Sequence, residues 1–337
     1  MGEELYPTKL VNQLAVNIYE PTVQVFYDEF VKHGCVTRCE ELYEYVGNTE
    51  AVEIIQKVQS SQVNREKAMW PVYLARGRNL DVDRAVRIGS SVDVLWSLSV
   101  IMDDIEDGDR VRAGVASLWV RLGIHKATEI AQLGLKGVTS YLKTTVGKQA
   151  SELAYQYVMN GMKSLKLHRE LGLCADYRNI IKNYWMRDDF HSAFPFHALY
   201  RDIKLPETRE LIFSFRKFNQ AGQVLNDLAD FKAQRNQTYR LSDLQGGRNS
   251  IALKLLYEMA DADKRLLIEK CFGQAELSDI DAYAIMELAS GDTFVNRLSL
   301  YVGQLYRMAQ NTIGEYFLPE DREKLELWVN YKLRKLK

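Results

Sequence analysis

IMDDIEDGDRVRAG, residues 101–114, is the stretch from which the rest of this chain is read. Asp103, Asp104 and Asp107 stand at i, i+1 and i+4. On a helix of about 3.6 residues per turn, Asp103 and Asp107 share one face, one turn apart. The run before them, 92–102 (VDVLWSLSVIM), is apolar except for one Asp and two Ser. A helix of that composition is buried on most sides, so its carboxylates emerge from a core element. Unpartnered carboxylates are costly there. Clustered oxygens of this kind suit Mg²⁺, a hard cation that takes one or two carboxylates together with waters and substrate phosphates.

A second cluster answers the first. Residues 223–234 read QVLNDLADFKAQ. Asn226 and Asp230 lie one turn apart, Asp227 sits between them, and Gln234 continues the face another turn on. The first cluster alone reads equally as a solvated acidic helix end. Two of them, each following an apolar helical run and about 120 residues apart, argue against that. The pattern predicts two helices facing each other across a cavity, with a metal-bound diphosphate between them.

With these residues in place, the chain resembles the trans-isoprenyl diphosphate synthases. Their first motif has the form DDxxD followed by GDxxRRG, matched here by Asp103, Asp104, Asp107, Gly108, Asp109, Arg112 and Gly114. Their second motif, FQxxDDxxD, is similar to Gly222-Gln223-Val-Leu-Asn226-Asp227-Leu-Ala-Asp230, and their DLxEGKxT segment to Asp243-Leu244-Gln-Gly-Gly247-Arg248-Asn-Ser250. Each motif alone is weak; three in order and spacing make a strong signal. The likeness spans about residues 64 to 260.

The resemblance implies an all-α, single-domain bundle of ten or more helices around a central cavity, the isoprenoid synthase fold, usually as a homodimer. It implies three Mg²⁺ ions between the two motifs and the diphosphate of an allylic isoprenyl substrate. Asp103 and Asp107 would ligate from one helix with Asp104 supporting them. Asn226, Asp227 and Asp230 would answer from the other. Arg112, Arg248 and Gln223 would contact the substrate, and Lys67 is the surviving cation of the segment that holds isopentenyl diphosphate. Leu98 and Ser99, four to five residues before Asp103, would shape the floor beneath the prenyl tail. Neither is aromatic, which predicts room for a fifteen- or twenty-carbon chain.

The departures are as informative. Asn226 stands where the family has Asp, and 226–234 also resembles the NDxxSxxxE motif of terpene cyclases, with Asp for Ser and Gln for Glu. The acceptor segment GGKRxRP becomes Arg65-Glu66-Lys67-Ala68-Met69-Trp70-Pro71, and Ala113 replaces the second Arg of RRG. Trp and Ala make no charge-assisted contact with a diphosphate, so isopentenyl diphosphate is expected to bind poorly unless Arg65 or another residue compensates. The family's mid-chain Lys has two candidate counterparts, Lys182 and Arg187. His191, His197 and Asp188–Asp189 receive no role. Trp70, Trp96, Trp119, Tyr184 and Trp185 either shield a carbocation or are plain core.

Bulk properties set the bounds. Among 337 residues, 6 Pro and 20 Gly leave no linker, and no internal repeat appears. A formal net charge of −1 gives no field to attract nucleic acid or anionic membrane. No uninterrupted apolar run approaches the roughly 18–20 residues of a bilayer span. The acidic start lacks a signal core, and Tyr6 spoils a myristoylation motif at Gly2. Four sparse cysteines, 35, 39, 174 and 271, predict reduced thiols in a cytoplasmic protein. Helical periodicity dominates from Leu10 to Lys335, through Leu10–His33, Cys39–Val58, Asp83–Met102, Ala175–Tyr200 and Glu207–Arg235 among others.

Two classes of function follow. The first is an enzyme that ionises an allylic diphosphate: a prenyltransferase to an unknown acceptor, a terpene cyclase, or an ordinary chain-elongating synthase. The second is a non-catalytic subunit of a heteromeric synthase. Such a subunit is expected to lose the carboxylates, and this chain keeps five of six.

Overall fold

The computed structural model describes residues 21–61, 65–112, 115–200, 205–231 and 241–336. In chain order the first helices are α1 (Pro21–Lys32), α2 (Cys35–Glu44), α3 (Thr49–Ser61), α4 (Glu66–Gly77) and α5 (Val82–Asp107). A short hairpin, β1 (Val111–Arg112) and β2 (Val115–Ala116), comes next. It pairs antiparallel, Val111 with Ala116 and Arg112 with Val115. Then follow α6 (Leu118–Leu122), α7 (Ile124–Thr145), α8 (Lys148–Glu170), α9 (Tyr177–Ser192), α10 (Phe194–Tyr200) and α11 (Pro206–Asp230). The remainder is α12 (Ser242–Gln245), α13 (Ile251–Met259), α14 (Ala262–Cys271), α15 (Asp279–Ala289), α16 (Asp292–Gly314) and α17 (Pro319–Arg334). The fold is all-α, as the periodicity predicts.

Several boundaries differ from the sequence reading, each for a local reason. The described part of α1 begins at Pro21, and the expected helical residues before it lie outside the described segments. The stretch expected as Cys39–Val58 is two helices, parted near Gly47, whose φ is 67°. The stretch expected as Ala175–Tyr200 breaks at Ala193, just before Pro195, which cannot donate to a continuing helix. The hairpin was not anticipated, because two-residue strands carry no alternation to detect.

Helix α5 is the axis. Asp81 caps its start by accepting from the Arg84 N–H at 2.9 Å. Gly108, at φ 70°, ends it in the left-handed conformation that glycine adopts freely. Helices α2, α3, α4, α7 and α10 pack around α5, while α11 packs on α9 and α16. Buried apolar residues from Val23 to Val329 form a single cluster. By length and composition α5 could cross a membrane, although charged residues interrupt its apolar run. In this fold 78% of its most apolar window is buried inside the protein, the environment of a core helix.

Helices α4 and α5 approach closely at Gly89. A Cβ placed on Gly89 would stand 2.2 Å from the backbone oxygen of Ala68. Backbone cannot yield as a side chain does, so Gly89→Ala is expected to destabilise the fold by about 1–3 kcal/mol. Chemical denaturation checks this as a lower midpoint at unchanged slope.

Candidate active site

Both acidic motifs end their helices. Asp103, Asp104 and Asp107 occupy the last turns of α5; Asn226, Asp227 and Asp230 occupy the last turns of α11. Carboxylates at a helix C-terminus meet the negative end of the helix dipole. Two such ends repel, and cations between them relieve this.

The two ends meet at one cavity of about 750 Å³. Asp103, Asp107, Asn226, Asp227, Asp230 and Asp243 line its polar part together with Arg112, Lys163, Lys166 and Arg187. Its inner part is apolar, walled by Trp96, Leu98, Met102, Leu135, Met162 and Phe190, with Ser99 among them. The cavity is therefore amphipathic, a charged mouth above an apolar tunnel.

The carboxylates are held by protein cations and donors. Arg112 donates through Nε to Asp104 and lies 3.5 Å from Asp103 and 3.7 Å from Asp109. The hairpin that carries Arg112 turns it back onto α5. Arg248 is buried and reaches Asp107 at 2.9 Å and Asp243 at 3.1 Å. Asp227 accepts from the Tyr184 hydroxyl, which itself accepts from the Ile251 N–H. Asp230 accepts from the Ser242 N–H at 3.0 Å, the Ser242 hydroxyl at 2.8 Å and the Asp243 N–H at 3.0 Å. It thereby caps α12. Asn226 is exposed, and among the described residues its amide donates to Gln223 at 3.5 Å.

Proton affinities reflect the crowding. Burial, and then Asp103 beside it, push Asp107 up to about 7. Burial also raises Asp103, Asp227 and Asp230, with Asp243 adding to the last two. Among the described residues no three carboxylate, His or Cys side chains are gathered tightly enough to hold a metal ion alone. The donor set instead has carboxylates on two walls of one cavity, which fits a Mg²⁺ that completes its shell with waters and substrate phosphate.

The raised affinity of Asp107 has a thermodynamic consequence in metal-free solution. The folded state holds this proton more tightly than the unfolded chain. Stability is therefore intact below about pH 4 and declines as pH rises towards 7. Asp107→Asn removes the penalty and still accepts from Arg248. It is expected to melt above the parent protein beyond pH 7, the gap closing towards pH 4, as read by thermal melts in EDTA.

A charge cluster with Asp188 in the cavity wall and His191 and Lys67 outside its lining did not emerge from the sequence. Asp188 accepts from the Gln223 amide at 2.9 Å and sits 3.8 Å from Arg187. Burial opposes the charge of Asp188, but His191, Arg187 and Lys67 hold it down to about 2. Lys67 does not line the cavity. Its ammonium lies 3.1 Å from His191 Nε2 and 3.3 Å from the centroid of Trp96, whose ring is part of the wall. Burial brings Lys67 down to about 8 and, with the Lys67 charge beside it, His191 down to about 4. Nothing in the sequence separates Asp188 and His191 from ordinary helical polar residues. Lys163 and Lys166 escaped because α8 carries no motif; their i, i+3 spacing is the one available signal.

The remaining candidates divide. Of Lys182 and Arg187, Arg187 lines the cavity and Lys182 does not. Arg65 is buried against Asp93 at 3.3 Å and the Gln59 carbonyl at 2.8 Å. Trp70 is buried among Phe26, Phe218 and Phe317 and is plain core. Of the five aromatics singled out in the sequence, Trp96 lines the cavity. Ala113 and Gln234 lie outside the described residues. All four cysteines are free thiols.

The profile of the polyprenyl synthetase family matches residues 49–288. Among solved structures, a decaprenyl diphosphate synthase from Rhodobacter capsulatus superposes with a TM-score of 0.81 at 12% identity, covering 94% of this chain and 99% of its own. A polyprenyl synthase from Caulobacter crescentus CB15, complexed with calcium and isoprenyl diphosphate, gives 0.74 at 16% identity over 91% and 97%. A heptaprenyl diphosphate synthase from Staphylococcus aureus gives 0.74 at 12% identity over 92% and 97%. At these identities the likeness is one of fold. Among curated proteins none matches the sequence.

Proposed function

The chain belongs to the polyprenyl synthetase family, and from that premise we propose that it ionises an allylic isoprenyl diphosphate and transfers the prenyl group to an acceptor other than isopentenyl diphosphate. The observation that carries this reading is the single cavity in which two acidic helix ends meet above an apolar tunnel. The allylic C–O bond breaks, the diphosphate departs with both electrons, and the carbocation is captured by a nucleophile that loses a proton. Mg²⁺, when bound with substrate, supplies charge neutralisation for the leaving diphosphate. Asp103, Asp107, Asn226, Asp227 and Asp230 are the residues to hold it. Arg187, Arg112, Lys163 and Lys166 present positive charge to the diphosphate from the cavity walls. Trp96 and Phe190, stacked at 6.1 Å, line the apolar part, with the Lys67 ammonium already over the Trp96 ring, so Phe190 is the aromatic left to face cationic charge there. Leu98 and Ser99 leave the tunnel open for a fifteen- or twenty-carbon tail. By family habit the working unit is a homodimer.

A second reading, capture of the cation by water or by its own chain, is favoured by the commitment of Arg65 to Asp93 and of Trp70 to the core. The test is incubation with ten-, fifteen- and twenty-carbon allylic diphosphates, with and without Mg²⁺, followed by pyrophosphate assay and product mass analysis. Release that requires Mg²⁺ and favours the longer donors is expected. No release from any donor would return the chain to a non-catalytic subunit.

A further inference from the structure

A second cavity, of about 610 Å³, opens between α9, α11 and α16, away from both acidic motifs. Arg178 and Lys182 lie one turn apart on α9, and Lys217 faces them from α11. Ile181, Trp185 and Leu305 form the apolar wall. Gln220 closes the floor, accepting from the Trp185 indole at 3.3 Å and donating to the Tyr301 hydroxyl.

The charges here are unbalanced. Neighbouring cations on the same helices are paired: Arg216 holds Asp189 through two bonds of 2.8 and 2.6 Å, and Arg187 lies against Asp188. Arg178, Lys182 and Lys217 have no carboxylate partner among the described residues, and no carboxylate lines the cavity. Like charges at i and i+4 destabilise a helix unless an anion sits between them. Lys217 lies 4.3 Å from the centroid of the Phe213 ring. An apolar wall beneath three cations that lack a carboxylate partner among the described residues complements one chemistry, an apolar body with an anionic head.

We propose that this cavity is a binding site for a small amphipathic phosphate, with the phosphate held by Arg178, Lys182 and Lys217 and the apolar body laid against Trp185 and Leu305. It is independent of the reaction proposed above, because it shares none of the residues that line the catalytic cavity.

The test uses the full chain labelled with 5-fluorotryptophan in EDTA, with the Trp185 signal identified by Trp185→Phe. Monomeric dodecyl phosphate and inorganic phosphate are titrated separately. Dodecyl phosphate is expected to shift the Trp185 signal saturably, at half-saturation at least about tenfold below that of inorganic phosphate, because burying its chain adds to the phosphate contacts. Lys182→Glu combined with Lys217→Glu should raise that half-saturation at least about tenfold. Asp103→Asn, in the other cavity, should leave it unchanged. The proposal is overturned if the Trp185 signal does not move or if the charge reversals have no effect. Equal half-saturation by inorganic phosphate also overturns it. A response to phosphatidylglycerol vesicles alone does so as well, since it would mark a membrane-facing surface.

Discussion

Asp103→Ala and Asp107→Ala are each expected to cut pyrophosphate release from an allylic diphosphate by about a thousandfold or more, without lowering the melting temperature. The kinetic loss follows from removing a preorganised group aimed at charge that develops in the transition state. The stability result has a separate cause. Asp107 is buried beside Asp103 and binds its proton unusually tightly, so the folded state gains from losing either charge. Arg248, the partner of Asp107, keeps Asp243 and the Ser242 carbonyl, and Arg112, the partner of Asp103, keeps Asp104. No guanidinium is stranded. Release and melting are measured on the same samples. Undiminished release would remove these carboxylates from the chemistry, and a collapsed melt would make them structural.

The second large effect concerns the acceptor. Where elongating relatives present cations, this chain has Trp70 and Ala113. Arg65, which could have compensated, is buried against Asp93, and Lys67 is occupied by His191 and the Trp96 face. Each charge-assisted hydrogen bond lost is worth roughly 1.5–3 kcal/mol, so two weaken isopentenyl diphosphate by about two to four powers of ten. Pyrophosphate release is therefore expected to be the same with and without isopentenyl diphosphate, given the true acceptor or water. Saturable chain extension at micromolar isopentenyl diphosphate would place the enzyme among ordinary chain-elongating synthases.

The helical architecture and the two acidic helix ends were legible in the sequence. Period, apolar content and spacing are local properties, and the pairs Asp103/Asp107 and Asn226/Asp230 are fixed by the helical repeat alone. Family motifs singled out Arg112 and Arg248, which the fold sets against Asp104 and Asp107. Partner choice was not legible. Arg187 and Lys182 sit five residues apart on α9, which turns them to different sides: one into the catalytic cavity, the other into the second. Asp188, His191 and Lys67 meet across α4 and α9 through a contact separated by 124 residues. Asp230 caps a helix that starts twelve residues later. The chain itself thus determined which helices form and where their carboxylates fall. Which cation answers each carboxylate was decided only by tertiary packing, because the Coulomb energy of a buried pair depends on a distance that no local spacing encodes.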